Sequence, residues 1–284
     1  MTARVNQRSV LITGGSAGIG ASLALTYAED GVHLWLSGRN KDRLEEVARQ
    51  CEAKGALVET ICLDVGDRAG IEAWIKDCHA QKNLTLVIAN AGITGGTALD
   101  RPYEKRAAFD QVLKTNLEGV VNTVAPATQI FSAEGSGHIA IMSSLAAYRG
   151  LPYSPAYSVA KAGIKAYAEA LRPTLRQDGV ALSLILPGFV ETALDDSVAS
   201  PKPFRVSATK AAQIIRRGLN KQKSVIEFPF VLVLGARLSA ILPTAWVEFI
   251  QMRIPVSVPE PVIDDAQLRP GDDSEYAGTG NERQ

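Results

Sequence analysis

Along most of the chain, short apolar runs alternate with longer stretches in which apolar residues recur every three or four positions. The first run, Val10-Leu11-Ile12, leads through a glycine-rich turn at residues 13–20 into Leu23, Ala24 and Tyr27, spaced for one face of a helix. The alternation then repeats. A strand is expected at residues 33–37, a helix at 41–53 with Leu44, Val47, Ala48 and Cys51 on one face, a strand at 57–63, a helix at 70–81 and a strand at 84–89. The second half continues with helices expected at 109–131, 155–177 and 207–219 and strands at 138–142, 180–186 and 224–228. Strands separated by helices in this rhythm imply βαβ units, and right-handed crossovers put helices on both faces. The expected fold class is α/β: a doubly wound parallel sheet of about seven strands. No repeat or linker interrupts residues 1–254, which read as one domain.

Two stretches depart from the rhythm. Residues 228–250 are almost wholly apolar, with Arg237 and Glu248 the only charges. Arg237 and Pro243 interrupt the run, which argues against a membrane-spanning helix. Such a segment is expected to be mainly buried, closing a ligand pocket or packing on a second subunit; the weaker reading lays it in a membrane interface with Trp246 at the headgroup level. Residues 255–284 hold seven acids and two bases, a net of −5, with four prolines and no periodicity, and read as an extended or disordered tail.

Composition narrows the function classes. Thirty Lys and Arg balance thirty Asp and Glu over 284 residues, which argues against a nucleic-acid-binding module. Cys51, Cys62 and Cys78 are odd in number and widely spaced, and His33, His79 and His138 form no ligand pattern. A disulfide framework and a metal site are therefore not expected, and a reducing, cytoplasmic setting fits. No apolar leader precedes Thr13, so no secretory signal is expected. Trp35, Trp74, Cys62 and His33 fall in periodic apolar segments and read as core.

The chemistry-bearing residues fall at the ends of the expected strands. Gly14-x3-Gly18-x-Gly20 joins a strand to a helix, where missing side chains let backbone N–H groups approach a phosphate. Tyr157 and Lys161 are one helical turn apart, with Ser154 placed to cap that helix and Pro155 suited to its first turn. An ammonium beside a phenol favours the phenolate, making Tyr157 a candidate acid/base.

With these motifs in this order, the chain resembles the short-chain dehydrogenase/reductase family in its single-domain form of the Rossmann type, over residues 8–228. Thr13 to Gly20 resembles the TGxxxGxG cofactor turn, implying cofactor contacts from Gly14, Ser16, Gly18, Ile19 and Gly20. Asp64 and Val65 sit where the family meets the adenine ring. Ala89-Asn90-Ala91-Gly92 resembles NNAG with Ala89 in place of the first Asn, implying cofactor contacts from Asn90, Ala91 and Gly92. Pro187, Gly188, Val190 and Thr192 fall in a segment similar to PGxxxT, whose Thr holds the nicotinamide carboxamide. The resemblance assigns catalysis to Asn116, Ser144, Tyr157 and Lys161. Ser144 donates to the substrate carbonyl, Tyr157 moves the proton, Lys161 lowers the tyrosine pKa and reaches the nicotinamide ribose, and Asn116 holds a water that links Lys161 to solvent. Ser143 is the nearest rival to Ser144.

Cofactor choice is argued from charge. NAD enzymes place an acid after the second strand for the ribose 2′-OH, whereas Ser37-Gly38-Arg39-Asn40 offers Arg39, whose fork suits a 2′-phosphate. NADP(H) is expected to be preferred, with NAD(H) possible. Residues 189–206 read as a mobile lid lined by Phe189, Leu194, Val198 and Phe204, which favours a hydrophobic carbonyl or alcohol substrate. Residues 119–133 carry no charge, so this helix is expected to pair across a homodimer or homotetramer. The resulting expectation is an NADP(H)-dependent oxidoreductase that interconverts a carbonyl and a secondary alcohol. The alternatives are an NAD-linked dehydrogenase, a membrane-surface lipid ketoreductase and a non-catalytic dinucleotide-binding sensor.

Overall fold

A computed structural model describes residues 8–97, 103–253 and 257–259. The acidic tail, apart from residues 257–259, lies outside the described residues. Seven strands form one sheet: β1 (Arg8–Thr13), β2 (Val32–Gly38), β3 (Leu57–Cys62), β4 (Leu86–Ala89), β5 (His138–Met142), β6 (Ala181–Pro187) and, after two short strands described below, β9 (Val225–Phe228). Their order is β3-β2-β1-β4-β5-β6-β9 and all neighbours are parallel. The order reverses direction between β1 and β4, which opens a crevice at the carboxyl ends of these strands.

Helices cover both faces because each strand of the sheet interior is apolar on both sides. On one face α1 (Gly18–Tyr27), α2 (Lys41–Glu52) and α8 (Ala208–Asn220) pack Leu23, Tyr27, Leu44 and Ile215 against Val10, Ile12, Leu34 and Leu36. On the other, α3 (Arg68–Gln81), α5 (Gly119–Glu134) and α6 (Pro155–Gln177) pack Ile71, Ile75, Phe131 and Ile164 against Leu11, Val87, Ile139 and Leu184. Asn40 and Asp67 cap α2 and α3 by accepting from Arg43 N and Gly70 N, at 2.9 and 3.0 Å. Trp35 and Trp74 lie in the core and His33 stacks on Trp35, but Cys62 is exposed, contrary to expectation. It ends β3, an edge strand with little cover on either side.

Three further departures bear on function. The helix expected at 109–131 is divided: α4 (Arg106–Leu113) passes through a π-helical turn at Lys114–Glu118 into α5. The segment read as a lid holds β7 (Val190–Glu191), α7 (Ala193–Asp196) and β8 (Val206–Ser207), with β7 and β8 paired in parallel. Within it Leu194 and Phe204 face solvent instead of lining an interior. The apolar stretch after β9 folds as α9 (Phe230–Ile241) and α10 (Thr244–Gln251). In the single chain it is not mainly buried: Val233 and Val247 are covered, while Phe230, Ile241, Trp246 and Phe249 are each at least 60% exposed. Helices this apolar on all sides exceed what one neighbouring layer can cover. No helix among the described residues is long and apolar enough to cross a membrane.

Candidate active site

The glycine turn is shaped by clashes that side chains would cause. Gly14 and Gly18 take left-handed backbone angles, φ 68° and 55°, which L-residues adopt at a cost. A Cβ on Gly20 would lie 2.1 Å from the Gly14 carbonyl oxygen, so only glycine lets the turn close on itself. The N-cap of α1 is Ala17, which has no side-chain oxygen to satisfy the first-turn N–H groups. Those donors and the positive helix end face the crevice, a fit to a dinucleotide pyrophosphate. Ser16 lies at the end of β2, its Oγ 2.9 Å from where a Cβ on Gly38 would stand, and Ile19 packs on the adjoining core.

Thr13 stitches this turn to the end of β4. Its buried hydroxyl accepts from the backbone N–H groups of Asn90 and Ala91, at 3.0 and 3.2 Å. The Asn90 amide in turn donates to the carbonyls of Thr13 and Gly14, at 3.0 and 3.3 Å. Ala89 is fully buried in the core of the second face. Asparagine there would put an amide among hydrocarbon, which gives the departure from NNAG a physical reason. Ala91 supports the turn from below, its Cα 2.8 Å from a Cβ placed on Gly14.

Arg39 follows β2 directly, with its guanidinium exposed and 4.0 Å from the Asp64 carboxylate. Asp64 also accepts from Gly66 N at 2.7 Å, which fixes the turn after β3. Val65 is buried against Gly119, and its carbonyl accepts from the Asn122 amide at 2.9 Å.

Ser144 follows β5 and caps a one-turn 3₁₀ helix, Leu145–Ala147, accepting from Ala146 N at 3.2 Å. Its neighbour Ser143 has a structural bond instead: its hydroxyl donates to the Lys161 carbonyl at 2.9 Å, tying α6 to the end of β5. Ser154 does not cap α6 as expected. Glu104, distant in sequence, accepts from Ala156 N at 2.9 Å and serves in its place. The first turn of α6 is thus anchored from outside, and it carries Tyr157.

Tyr157 and Lys161 share a face of α6, with the ammonium 5.4 Å from the ring centroid. Burial pushes the Tyr157 phenol above its ordinary value; the Ser144 hydroxyl, within hydrogen-bonding reach, works against this, and the Asp195 carboxylate of α7 adds to it. Burial also pushes the Lys161 ammonium down, to about 8. The expectation of a tyrosine pKa lowered by Lys161 is therefore corrected for the protein alone. Removing both groups from water disfavours both charged forms.

Asn116 sits in the π-helical turn, fully buried. Both ends of its amide are engaged by Ile93: Oδ1 accepts from Ile93 N at 2.7 Å, and Nδ2 donates to Ile93 O at 2.8 Å. The Asn116 amide thereby clamps the loop after β4. A Cβ on Gly92 would lie 3.1 Å from Asn116 Oδ1 and 3.7 Å from Lys161 Nζ, so glycine keeps this junction open. Across the crevice, Gly188 donates to Phe228 O at 2.8 Å and is covered by Leu232 of α9, which brings α9 against the segment that begins at Pro187. Val190 is buried in the core of the first face and pairs with Val206 of β8. Thr192 caps α7 through Asp195 N at 3.2 Å, and its methyl lies 3.1 Å from a Cβ placed on Gly18, directly over the glycine turn.

The expected residues are thus brought to one edge of the sheet, with Arg39 and Asp64 at its far end. Sequence reasoning missed Thr13, Glu104 and Ile93 as the parts that hold the others in place, since their partners are distant along the chain.

A family model described as short chain dehydrogenase matches residues 8–203. An uncharacterized oxidoreductase of Myxococcus xanthus is 33% identical over 243 residues, covering 85% of this chain and 95% of the relative. A short-chain dehydrogenase from Sphingobium yanoikuyae in complex with NADPH superposes with a TM-score of 0.71 at 22% identity, over 84% of this chain and 97% of that one. One from Mycobacterium paratuberculosis bound to NAD gives 0.67 at 21% identity, over 79% and 96%. The family model over residues 8–203, together with a relative 33% identical along nearly its whole length, places this chain in the short-chain dehydrogenase family of oxidoreductases.

Proposed function

We propose that the protein is an NADP(H)-dependent oxidoreductase interconverting a carbonyl and a secondary alcohol, with reduction the favoured direction. The observation that carries this reading is the convergence of Ser144, Tyr157 and Lys161 beside the glycine turn, with Tyr157 held above its ordinary pKa by burial. A phenol kept protonated is ready to give its proton to a carbonyl oxygen. Ser144 orients that oxygen by hydrogen bonding, and Lys161 places a cation behind the phenol and toward the ribose. A bound nicotinamide supplies or accepts the hydride. Gly14, Ser16, Gly18, Ile19 and Gly20 would hold the pyrophosphate; Asp64, Val65, Asn90, Ala91 and Gly92 the adenosine side; Pro187, Gly188, Val190 and Thr192 the carboxamide.

Arg39 supports the NADP(H) preference. It is exposed, and the Asp64 carboxylate beside it stands at 4.0 Å, a contact that a phosphate can displace. The test is a panel of ketones and alcohols with each cofactor, followed by absorbance of the reduced nicotinamide. Tyr157→Phe is expected to lower turnover roughly 10²–10⁴-fold while cofactor affinity stays within a few fold. Arg39→Asp is expected to abolish the preference for NADPH over NADH. Full activity of Tyr157→Phe, or equal wild-type affinity for the two cofactors, overturns the corresponding assignment. We further propose that the chain works as a homo-oligomer in the cytoplasm, pairing through the uncharged outer side of α5. A second reading, a reductase of lipids at a membrane surface, is favoured by the exposed apolar sides of α9 and α10 beside Gly188.

A further inference from the structure

Three segments frame the candidate site: the loop that follows Gly92, the turn that precedes Tyr157, and the segment after Thr192 that holds α7. A fourth, residues 257–259, joins them. Thr97 of the first segment donates its N–H to the Tyr153 carbonyl of the second at 2.8 Å. Val258 donates to Thr97 O at 3.2 Å. Ser257 and Ala199 exchange both backbone hydrogen bonds at 2.9 Å each, an isolated antiparallel bridge into the third segment. The result is one backbone ladder, Tyr153–Thr97–Val258 and Ser257–Ala199, across the carboxyl edge of the sheet.

The side chains are fitted to this closure. A Cβ on Gly96 would lie 2.3 Å from Tyr153 O and 2.6 Å from Val258 Cβ, so the segments meet only because residue 96 has none. Val258 is 3% exposed, although it lies at the far end of the chain from the core strands. Tyr153 holds a left-handed backbone, φ 62°, a conformation that persists in a non-glycine residue where neighbours enforce it. The ladder supplies that enforcement four residues before Tyr157.

We propose that residues 257–259 are a strap that holds the 189–206 segment down over the site and makes Ser257 and Val258 determinants of substrate size. With the strap paired, the two reciprocal bonds to Ala199 oppose outward movement of the segment that α7 occupies. Bulky carbonyl compounds then require the Ser257–Ala199 bridge to open more than small ones do. The size argument rests on the reading given under Proposed function; the strap itself does not.

The test uses the full chain with Ser257→Pro, which deletes the N–H donated to Ala199 O, and Ser257→Ala as a control that keeps it. Val258→Pro deletes the donor to Thr97 as a second, independent break. Amide hydrogen exchange at Ala199 is expected to quicken about 5- to 10-fold in Ser257→Pro, the change expected from one ordinary net hydrogen bond, and to stay at the wild-type rate in Ser257→Ala. The kcat/KM ratio of a bulky aryl ketone to a four-carbon ketone is expected to rise by a similar factor in both proline variants. Unchanged exchange at Ala199 in Ser257→Pro overturns the strap. Faster exchange with an unchanged ratio overturns its role in substrate size. If the wild type reduces no ketone, the functional reading and the size argument fall together, and exchange alone decides whether the strap holds the segment.

Discussion

At the amino-terminal ends of β5 and β6 a histidine is buried; past the carboxyl-terminal end of β5, a lysine is. His138 Nε2 lies 2.9 Å from Ser183 Oγ, which donates its own proton to the Lys223 carbonyl at 2.6 Å, so the imidazole is the donor of that pair. Nearby at β1, Ser9 Oγ accepts from Trp35 Nε1 at 2.9 Å and donates to Lys82 O at 3.2 Å, while Thr85 Oγ1 pairs with both Ser9 N and Ser9 O. The side-chain donors and acceptors named at that end are matched to other atoms of the protein. Lys161, only 5% exposed, has no hydrogen-bond acceptor for its ammonium among the described residues, and it stands next to Tyr157 and Gly92. Burial depresses both groups, His138 to about 4 and Lys161 to about 8. A shifted pKa therefore marks removal from water at either end. What separates the ends is convergence: hydrogen-bonding capacity left open toward a crevice at one, and consumed in the scaffold at the other.

Lys161→Met should break the comparison most strongly if it is wrong. Methionine keeps the buried hydrocarbon and removes the charge. Turnover is expected to fall at least 10²-fold, and stability against urea at pH 7 is expected to rise, by at most about 3 kcal/mol. The sign follows from the depressed pKa. Between about 8 and the ordinary 10.5, the unfolded chain holds more protons at this position than the folded one, so wild-type stability increases as pH rises through that window. The advantage of the variant is therefore fullest below pH 8 and vanishes near pH 10.5. Urea melts at pH 7, 9 and 10.5 measure it. A variant less stable than the wild type at pH 7 would show the ammonium to be a structural partner like His138.

The same contrast explains what could be read from the sequence. Strand cores such as Val10-Leu11-Ile12 and Leu34-Trp35-Leu36 declare themselves because parallel strands covered on both faces are uninterrupted apolar runs. The glycine turn and the Tyr157–Lys161 pair are legible because their spacing is local. Features that depend on distant partners are not. Nothing near Ser154 announces that Glu104 will cap α6, and nothing near Asn116 announces Ile93. The π-helical turn adds one residue to a periodic stretch and leaves the apolar pattern on either side intact. Exposure of Cys62 follows from β3 being an edge, which strand order decides and strand composition does not. The direction of the Tyr157 shift is hidden from the sequence for the same reason: the nearness of Lys161 is visible at four residues' spacing, whereas the depth of burial belongs to the whole fold.

The smaller effect belongs to His138, and it sharpens the comparison from the scaffold side. Its folded pKa, about 4, lies below the ordinary 6.5 because the ring is buried. Between those values the unfolded chain takes up a proton that the folded chain refuses, so stability falls as pH drops from about 6.5 to 4. The whole loss from this site is at most about 3 kcal/mol. His138→Gln keeps an N–H donor for Ser183 but does not titrate. It is expected to be modestly less stable than the wild type at pH 7, through imperfect packing between β5 and β6, and to lose less stability on going from pH 7 to pH 4.5. Turnover at pH 7 is expected to stay within twofold, because the site lies at the other end of β5. Urea melts at the two pH values, paired with one kinetic assay, check both parts. An unchanged acid slope would mean that His138 takes up its proton as readily in the folded chain as in the unfolded one, and a large loss of turnover would mean that the two ends of the sheet are coupled.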